Sequence, residues 1–506
     1  MPASQSPTQV RQGIVLLVLC LAQFMLVLDI SVTNVALASI RADLGFAVAD
    51  LQWIVTAYTL VFGSLLIFFG RVGDLYGRRR LFVVGTAVFS AASLLCGLAQ
   101  TPTQLIAARA LQGLGGAMMS PAALSLLTST FDEGAARNKA LGVWGSIAAG
   151  GAAAGTIIGG MLTDLANWRW VFLINVPVGV AVILAARRTV AESRAAGGAA
   201  LDVPGAVTLT AALAALVYGL TAAGPEGPSA AAAGACFAAA AVLLVMFVVI
   251  ERRAESPLFD FALLKSRSVS VANTFAVLST AVVVGQSFFL SLYLREVMGF
   301  SPLRTGLALV PITLMVVAVA SSIPRVLPRA GVRAVLVASG LLLAVGMALQ
   351  ARMPVDGQYV SDVLPALLVT AAGLGLGFVA ATIAATAGVS ERQQGLASGL
   401  LNTSQQIGGS LGLAVLATIA ASRTSNELAM GAAPVQALTD GFSLGFGTAI
   451  GFALVAAAVA LLAPGRRTGE VALPAQRADV PAAPGTAPAL AGAPAVNPTQ
   501  EADTHD

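Results

Sequence analysis

The sequence predicts an all-α polytopic membrane protein with fourteen spanning helices. Three observations support this fold class: the composition, the recurrence of long apolar stretches and the distribution of basic residues. Hydrophobic residues make up 57% of the 506 residues and charged residues only 10%, whereas a soluble protein carries about 25% charged residues. So little charge cannot cover a water-facing surface, but it suits a surface that faces lipid hydrocarbon.

Apolar stretches long enough to cross a bilayer recur along most of the chain. A helix needs about 20 predominantly apolar residues to span the hydrocarbon core. With turn residues and charges as boundaries, the sequence predicts six spans, then two, then six. They lie near 14–38, 51–69, 80–99, 103–128, 138–163, 168–186, 203–222, 230–250, 268–294, 302–323, 333–352, 361–386, 394–421 and 442–463.

These spans divide the chain into two six-helix bundles that flank a pair of additional helices. The predicted segments are 1–13 (N-terminus), 14–186 (first bundle), 187–202 (link), 203–250 (additional pair), 251–267 (link), 268–463 (second bundle) and 464–506 (tail). The first apolar stretch is too long for a signal-peptide core, so we assign it as a spanning helix. The tail is rich in Pro and Ala, and we expect it to be disordered.

The basic residues of the predicted loops are distributed unevenly between the two sides. If the N-terminus lies inside, 17 Lys and Arg residues fall in inner loops and six in outer loops. The outer six are Arg41, Arg169, Arg295, Arg304, Arg352 and Arg423. Because cytoplasmic loops carry the excess of basic residues, we expect a multi-pass protein of the cell (inner or plasma) membrane with both termini in the cytoplasm.

The inventory of reactive side chains excludes several kinds of site. Cys20, Cys96 and Cys236 lie inside apolar stretches, and the single histidine, His505, lies in the polar tail. We therefore expect no metal site, no disulfide framework and no histidine proton relay. No basic run with interleaved aromatic residues suggests nucleic acid. The membrane region offers no catalytic constellation for an enzyme or its cofactor, and the links offer no folded domain for a sensor.

One acidic residue stands out in the first predicted helix. Asp29 lies about fifteen residues into this helix with apolar neighbours on both sides. Inserting an aspartate at the centre of a membrane helix costs about 2.5–3.5 kcal/mol, so such a residue usually faces a cavity or a partner. A buried carboxyl group that gains and loses a proton is what a protonation switch requires. The alternative is a hydrogen-bonded carboxylate with a structural role.

Arg109, in the fourth predicted helix, is the natural counterpart of Asp29. The two residues differ in depth by only about 5 Å at a rise of about 1.5 Å per residue. A long arginine side chain spans that gap if the two helices are neighbours. The alternative is that Arg109 extends to the outer headgroups as an anchor.

Polar and aromatic residues within the spans are candidates for a substrate cavity between the two bundles. Buried amides are costly unless they face a cavity or bond another helix, so each of them has a packing role as its alternative. The candidates are Gln23, Asn34, Trp53, Tyr58, Gln112, Met118, Trp144, Asn273, Gln286, Asn402 and Gln405. The second bundle has no carboxylate near mid-membrane, which favours neutral or monocationic lipophilic substrates over dications.

The predicted loop after the second helix carries the most specific local pattern, with glycine, aspartate and arginine at fixed spacing. Its defining residues are Gly70, Gly73, Asp74, Gly77 and Arg78. The glycines allow a tight turn and a close approach of helices. Asp74 can face the arginines at a helix end and form a latch that depends on conformation. An ordinary basic inner loop is the alternative.

This pattern, Gly-x-x-x-Asp-x-x-Gly-Arg-Arg, resembles the loop between helices two and three of the major facilitator superfamily. Four further stretches resemble its fourteen-helix drug:proton antiporters: Leu28–Leu37, Arg109–Gly113, Gly151–Gly160 and Trp168–Gly179. The resemblance covers about residues 12–463 and implies two six-helix halves that alternate access to a central cavity. It also implies a proton-sensing acid at Asp29 and a role in proton handling for Arg109.

The fifth-helix stretch, whose glycines are Gly151, Gly155, Gly159 and Gly160, resembles the antiporter motif of that family. This chain departs from the family pattern at two positions, with Ala38 and Thr156 where proline is usual. The small residues still permit close helix packing. The resemblance implies an exporter driven by protons. We expect it to act as a monomer in the lipid bilayer, with the proton as coupling ion and no cofactor. A proton-coupled importer or facilitator of a metabolite on the same fold remains the alternative.

Overall fold

The computed structural model describes residues 7–47, 50–131, 134–194, 201–224, 229–254, 263–389 and 394–464. Within these ranges, fourteen helices are long and apolar enough to cross a membrane. The predicted all-α class and the number of spans are therefore confirmed. The predicted disordered tail lies outside the described residues except for its first residue.

The first half of the molecule contains six spans in seven helices, because the sixth span is broken at Ile174. An additional pair of helices follows it. The helices are α1 (Pro7–Leu44), α2 (Trp53–Tyr76), α3 (Arg78–Leu98), α4 (Pro102–Thr130), α5 (Ala135–Leu165), α6 (Trp170–Leu173), α7 (Asn175–Thr189), and the pair α8 (Val203–Ala222) and α9 (Ala230–Arg253).

The second half contains the last six spans. A 3-10 turn at Leu263–Lys265 precedes it, and two spans include a π-helical turn, Tyr293–Val297 and Tyr359–Val363. Its helices are α10 (Arg267–Leu292), α11 (Pro302–Ala330), α12 (Val332–Gln350), α13 (Leu364–Thr386), α14 (Gln394–Ala429) and α15 (Pro434–Ala460).

Local sequence sets where several helices begin. The side chains of Thr101, Asp202, Ser229 and Ser301 each accept a hydrogen bond from a backbone N–H three residues on. These residues cap the N-termini of α4, α8, α9 and α11, and a cap of this type stabilises a helix by about 1 kcal/mol. Proline within the first two positions of α4, α8 and α11 adds a backbone angle that is already helical.

The second helix is longer than predicted. Hydropathy ends the span near residue 69, but α2 continues as a helix to Tyr76. The residues from Gly70 to Tyr76 are thus the last two turns of α2 rather than a loop. Only Gly77, with φ +117°, separates α2 from α3. The polar character of these residues ended the predicted span, but polarity alone does not stop a helix.

The two halves meet along two seams, α2 with α14 and α5 with α11. On the first seam, the Thr59 and Ser410 hydroxyls share a hydrogen bond of 2.9 Å. The additional pair covers this seam from outside: Leu213 of α8 packs in one apolar cluster with Leu60 of α2 and Ala414 of α14. The additional pair therefore contacts both halves of the molecule.

Candidate functional site

Asp29 lies in the middle of α1 and is completely buried. Three side chains donate hydrogen bonds to its carboxylate. Arg109 bonds Oδ2 at 2.6 Å, while Gln112 and Asn175 bond Oδ1 at 2.7 and 2.9 Å. These donors come from α4 and α7, so the carboxylate ties three helices of the first half together.

The Arg109 guanidinium is held on every side by the first half. Its Nε donates to the carbonyl of Ile54 at 2.8 Å, and its Nη1 donates to both Asp29 and Gln112. Its Cζ lies 4.4 Å from the centre of the Tyr58 ring, a cation–π distance. With 1% of its surface exposed, Arg109 does not reach a headgroup region. The structure therefore favours the paired arginine over the anchor.

A second layer of polar residues completes the charge cluster, which we define as Asp29, Arg109, Gln112, Asn175 and Ser93. The Ser93 hydroxyl of α3 accepts hydrogen bonds from Gln112 at 2.9 Å and from Asn175 at 3.0 Å. Both amides are thereby oriented with their N–H groups towards the carboxylate. Such a closed network satisfies the charged form of Asp29 in a place that water does not reach.

This arrangement makes the charge of Asp29 decisive for local stability. A buried ion pair with complete hydrogen bonding is stable, but removing one charge leaves the other uncompensated at a cost of about 3–5 kcal/mol. A proton on Asp29 removes that charge without changing the shape of the side chain. The charge cluster can therefore act as a switch whose two states differ in how firmly α1 is held to α4 and α7.

The structure does not place three of the predicted cavity residues in a cavity. Gln112 belongs to the charge cluster, and Tyr58 is fully buried under Arg109. The Trp53 ring lies 6.4 Å from the Tyr218 ring of α8, so it packs against the additional pair. The sequence alone could not show which face of α2 or α4 lines a cavity, because opposite faces of both helices are buried.

Two further candidates are also buried, within the second half. Asn273 donates to the carbonyl of Val269 and accepts a hydrogen bond from Ser404 at 2.8 Å, which links α10 to α14. Gln286 is 4% exposed. The remaining candidates are partly exposed, and they are Gln23, Asn34, Met118, Trp144, Asn402 and Gln405.

The glycines of α5 lie where helices touch. A side chain at Gly155 would place its Cβ 2.7 Å from Cβ of Ser31 and 3.1 Å from the carbonyl of Leu28. Gly151 and Gly159 face α1 in the same way, whereas Gly160 faces Pro302 of α11. One run of glycines therefore packs α5 against α1 and against the second half. Leu28 adjoins Asp29, so the charge cluster lies directly behind this contact.

Contacts between the halves gather at the end of the molecule where α1 and α10 end, which we call the closed end. The Ser291 hydroxyl donates to the carbonyl of Asn34 at 2.5 Å, and Arg295 donates to the Ser39 hydroxyl at 3.1 Å. Arg41 and Glu296 form an ion pair of 3.4 Å. In contrast, a Cβ at Gly142, Gly145 or Gly150, in the first half of α5, would have no atom of another described element within 4 Å.

The predicted latch lies at the opposite end, at the junction of α2 and α3. Asp74 and Arg78 form an ion pair of 2.8 Å. Glu192, which follows α7, accepts a hydrogen bond from the backbone N–H of Arg79 at 3.0 Å and pairs with its guanidinium at 3.7 Å. A Cβ at Gly77 would lie 2.8 Å from the Glu192 carboxylate, so this position needs glycine for both space and backbone angle.

A further charged group joins this end of α2 to the additional pair. Arg71 interacts electrostatically with Glu251 of α9 and Asp202 at the start of α8. Both acids are buried, with 2% and 6% of their surfaces exposed. The arginine that follows Gly70 in the pattern therefore faces the additional helices rather than its own half.

Asn175, Ser93 and Glu192 are not among the site residues predicted from the sequence, although they belong to the charge cluster and the latch. Asn175 is a polar residue inside an apolar run, a signal of the same kind as Asp29, and it could have been found in this way. Ser93 has no such signal, because serine is common in helices of membrane proteins. Glu192 lies in a predicted link, where acids are ordinary.

Comparison with known proteins identifies the relatives of this chain. A family model described as the Major Facilitator Superfamily matches residues 19–413. The chain is 41% identical to the cephamycin export protein CmcT of Amycolatopsis lactamdurans, over 81% of this chain and 86% of that protein. It is 38% identical to the puromycin resistance protein pur8 of Streptomyces alboniger, over 87% and 88% respectively.

Solved structures share the fold at low identity. A bacterial homologue of the human lysosomal transporter Spinster, described as inward-facing and occupied, superposes with a TM-score of 0.65. The match covers 91% of this chain and 97% of that chain at 17% identity. At this identity the likeness shows the fold alone.

Proposed function

The chain belongs to the major facilitator superfamily and is a transporter rather than an enzyme, and we propose that it exports lipophilic drugs in exchange for protons. In this proposal the substrates are neutral or monocationic, the proton is the coupling ion and no cofactor takes part. The protein acts as a monomer in the cell membrane, with both termini in the cytoplasm.

The observation that carries the proposal is the fully buried pair of Asp29 and Arg109. Their 2.6 Å contact lies within the first half, and every donor to the carboxylate also belongs to that half. A drug in a cavity between the halves therefore does not touch the carboxylate. We infer that the proton and the drug act on each other through movement of helices rather than by competing for one carboxylate.

Helix α1 is the element that can transmit this movement. It holds Asp29 in the charge cluster, packs against the glycines of α5 through Leu28 and Ser31, and contributes Arg41 to the closed end. A change in how firmly α1 is held therefore reaches both the α5 contact and the closed end. Gln23 and Asn34 lie on the same helix, so the proposed cavity moves with it.

The proposed cycle follows from these contacts. With Asp29 charged, the charge cluster and the closed end hold the molecule open towards the cytoplasm, and the drug enters there. A proton that reaches Asp29 from outside weakens its bond to Arg109, frees α1 and favours release of the drug. One proton that crosses about 100 mV supplies about 2.3 kcal/mol, which sustains a drug gradient of about fifty-fold.

The acids of the second half support the choice of substrate class. Glu296 pairs with Arg41 at the closed end, and Asp362 lies in the π-helical turn that begins α13. Neither is placed to face a drug near mid-membrane. A single positive charge can be accepted by amide and aromatic groups, whereas a dication would require a buried acid that faces the cavity. The names of the two relatives point to antibiotics as the first compounds to test.

Sidedness of accumulation tests the proposed direction of transport. Inverted vesicles that contain the protein would be acidified inside, and uptake of labelled puromycin and cephamycin would be followed. Export predicts uptake that depends on the pH difference and stops when an ionophore removes it. Loss of preloaded compound on acidification would support the importer instead. A Gly160→Leu variant provides the control without transport. Its larger side chain meets Pro302 where α5 packs against α11, so it hinders the two halves from closing against each other.

A further inference from the structure

A groove at the closed end lies apart from the charge cluster and from the proposed cavity. It has a volume of about 820 Å³ and lies between the start of α11, the π-helical turn Tyr359–Val363 that leads into α13, and the residues just before that turn. Its walls include Phe300 and Arg304 on one side and Asp356 and Tyr359 on the other. All of these residues belong to the second half.

Two opposite charges line this groove without pairing. The Arg304 guanidinium lies 3.9 Å from the centre of the Phe300 ring, and Asp356 is exposed on the facing turn. Within the described part of the chain, neither side chain forms an ion pair with the other or with a third residue. The groove therefore presents one cationic and one anionic group to whatever occupies it.

The groove lies at the level where the membrane meets water. The spans Pro302–Ile323 and Tyr359–Thr386 both begin at its edge. Its apolar rim includes Leu307 and Val360, which are 52% and 71% exposed. Further along the same two spans, Leu314 and Phe378 are also exposed, at 64% and 58%. Exposed apolar residues on a spanning helix suit contact with hydrocarbon, so we expect the groove to continue into an acyl-chain environment.

The backbone around the groove is unusual in a way that favours binding. Both π-helical turns of the described chain, Tyr293–Val297 and Tyr359–Val363, contribute residues to it. Such turns are rare and occur frequently at functional sites. The Tyr359 hydroxyl donates to the carbonyl of Ala308 at 2.7 Å, which fixes the two walls relative to each other.

We propose that this groove binds a zwitterionic phospholipid with a primary ammonium group, phosphatidylethanolamine, from the leaflet at the closed end. Arg304 donates to the phosphate, Asp356 accepts from the ammonium group, and the acyl chains follow Leu307 and Val360 towards the membrane interior. An anionic headgroup without an amine leaves Asp356 unpaired, so the site discriminates against phosphatidylglycerol. The proposal is independent of the direction and coupling of transport.

Fluorescence quenching by brominated lipids tests the proposal on the full chain. A Leu307→Trp variant places an indole at the rim, and the signal of the parent chain, with its four tryptophans, is subtracted. In mixed micelles, we expect brominated phosphatidylethanolamine to quench Trp fluorescence at an about tenfold lower lipid fraction than brominated phosphatidylglycerol. One additional charge-assisted hydrogen bond, from the ammonium group to Asp356, is enough for a difference in affinity of about tenfold.

The two charges have different signatures in this assay. Asp356→Asn is expected to remove the preference for phosphatidylethanolamine and leave phosphatidylglycerol unchanged, whereas Arg304→Gln weakens both lipids because both carry a phosphate. Arg352→Gln, an exposed arginine at the same end outside the groove, serves as the control and changes neither. Equal quenching by the two lipids, or an unchanged preference in Asp356→Asn, would overturn the assignment.

A second measurement avoids the introduced tryptophan. The chain with its native Leu307 is purified from membranes that contain both lipids, and co-purified lipid is counted by mass spectrometry. We expect the ratio of phosphatidylethanolamine to phosphatidylglycerol to fall by about tenfold in Asp356→Asn. Thermal unfolding curves first establish that the native chain and Asp356→Asn are both folded. An unchanged lipid ratio then contradicts the proposal, even if the tryptophan variant is disturbed.

Discussion

Replacing Asp29 with asparagine tests whether the charge cluster holds the first half together. The substitution keeps the shape of the side chain but removes the charge that faces Arg109 at 2.6 Å. Because asparagine offers one acceptor oxygen, it cannot satisfy the donors from Arg109, Gln112 and Asn175 together. We expect the free energy of unfolding to fall by about 3–5 kcal/mol, the cost of an uncompensated buried charge.

A double-mutant cycle separates the charge effect from a general loss of packing. Arg109→Gln alone is expected to cost about as much as Asp29→Asn, since it leaves a buried carboxylate without its cation. The double variant removes both charges, so it should lose clearly less than the sum of the two single variants. The measurement is unfolding in mixed detergent micelles with increasing denaturing detergent, followed by tryptophan fluorescence.

The same helix offers a matched control. Asp43, also in α1, forms an ion pair with Arg169 of the same length, 2.6 Å, but the two side chains are 45% and 28% exposed. An exposed pair contributes about 0–1 kcal/mol, so Asp43→Asn should have little effect. If Asp29→Asn were no more destabilising than Asp43→Asn, or if the double variant lost the full sum, burial of the Asp29–Arg109 pair would not hold the first half together.

Three further predictions concern helix contacts. Gly155→Ala should destabilise the protein by about 1–3 kcal/mol and slow transport, because its Cβ meets Ser31 at 2.7 Å. Gly142→Ala, which has open space around it, should do neither. Equal effects of the two variants on thermal unfolding and uptake would contradict the α1–α5 contact. Gly77→Ala should cost more than Gly134→Ala, since both glycines have positive φ but only Gly77 faces the Glu192 carboxylate; equal unfolding midpoints would argue against the latch. Glu192→Gln keeps the acceptor for the backbone N–H of Arg79 and loses only partly exposed ion pairs. Its free energy of unfolding should therefore change by less than about 1 kcal/mol. A larger loss would mean that the charge of Glu192 itself holds the latch.

Much of the fold follows from the sequence because membrane spans are defined by length and hydropathy. The fourteen spans were predicted from these properties, and the structure contains them. The end of α2 was not predicted, since hydropathy falls at Gly70 while the helix continues to Tyr76. What stops the helix is the backbone angle of Gly77, which hydropathy does not measure.

The contact between Asp29 and Arg109 could be predicted from the sequence, because the rise per residue fixes the depth of each side chain in the membrane. The rotation of α1 about its own axis could not be predicted from the sequence, because apolar residues occur on most faces of the helix near Asp29. For the same reason, Tyr58 and Gln112 could be assigned to a cavity although they pack inside the first half. Asn175 completes the charge cluster from a helix whose packing against α1 is a matter of tertiary structure alone.

Proton release on drug binding tests whether Asp29 couples the proton to the drug. Purified protein in weakly buffered detergent solution is mixed with puromycin or cephamycin, and the pH is followed with an indicator dye. We expect a compound that inverted vesicles take up to release protons from the native chain, because the drug favours the charged form of Asp29. We expect no proton release from Asp29→Asn. Proton release that persists in this variant would contradict the role assigned to Asp29.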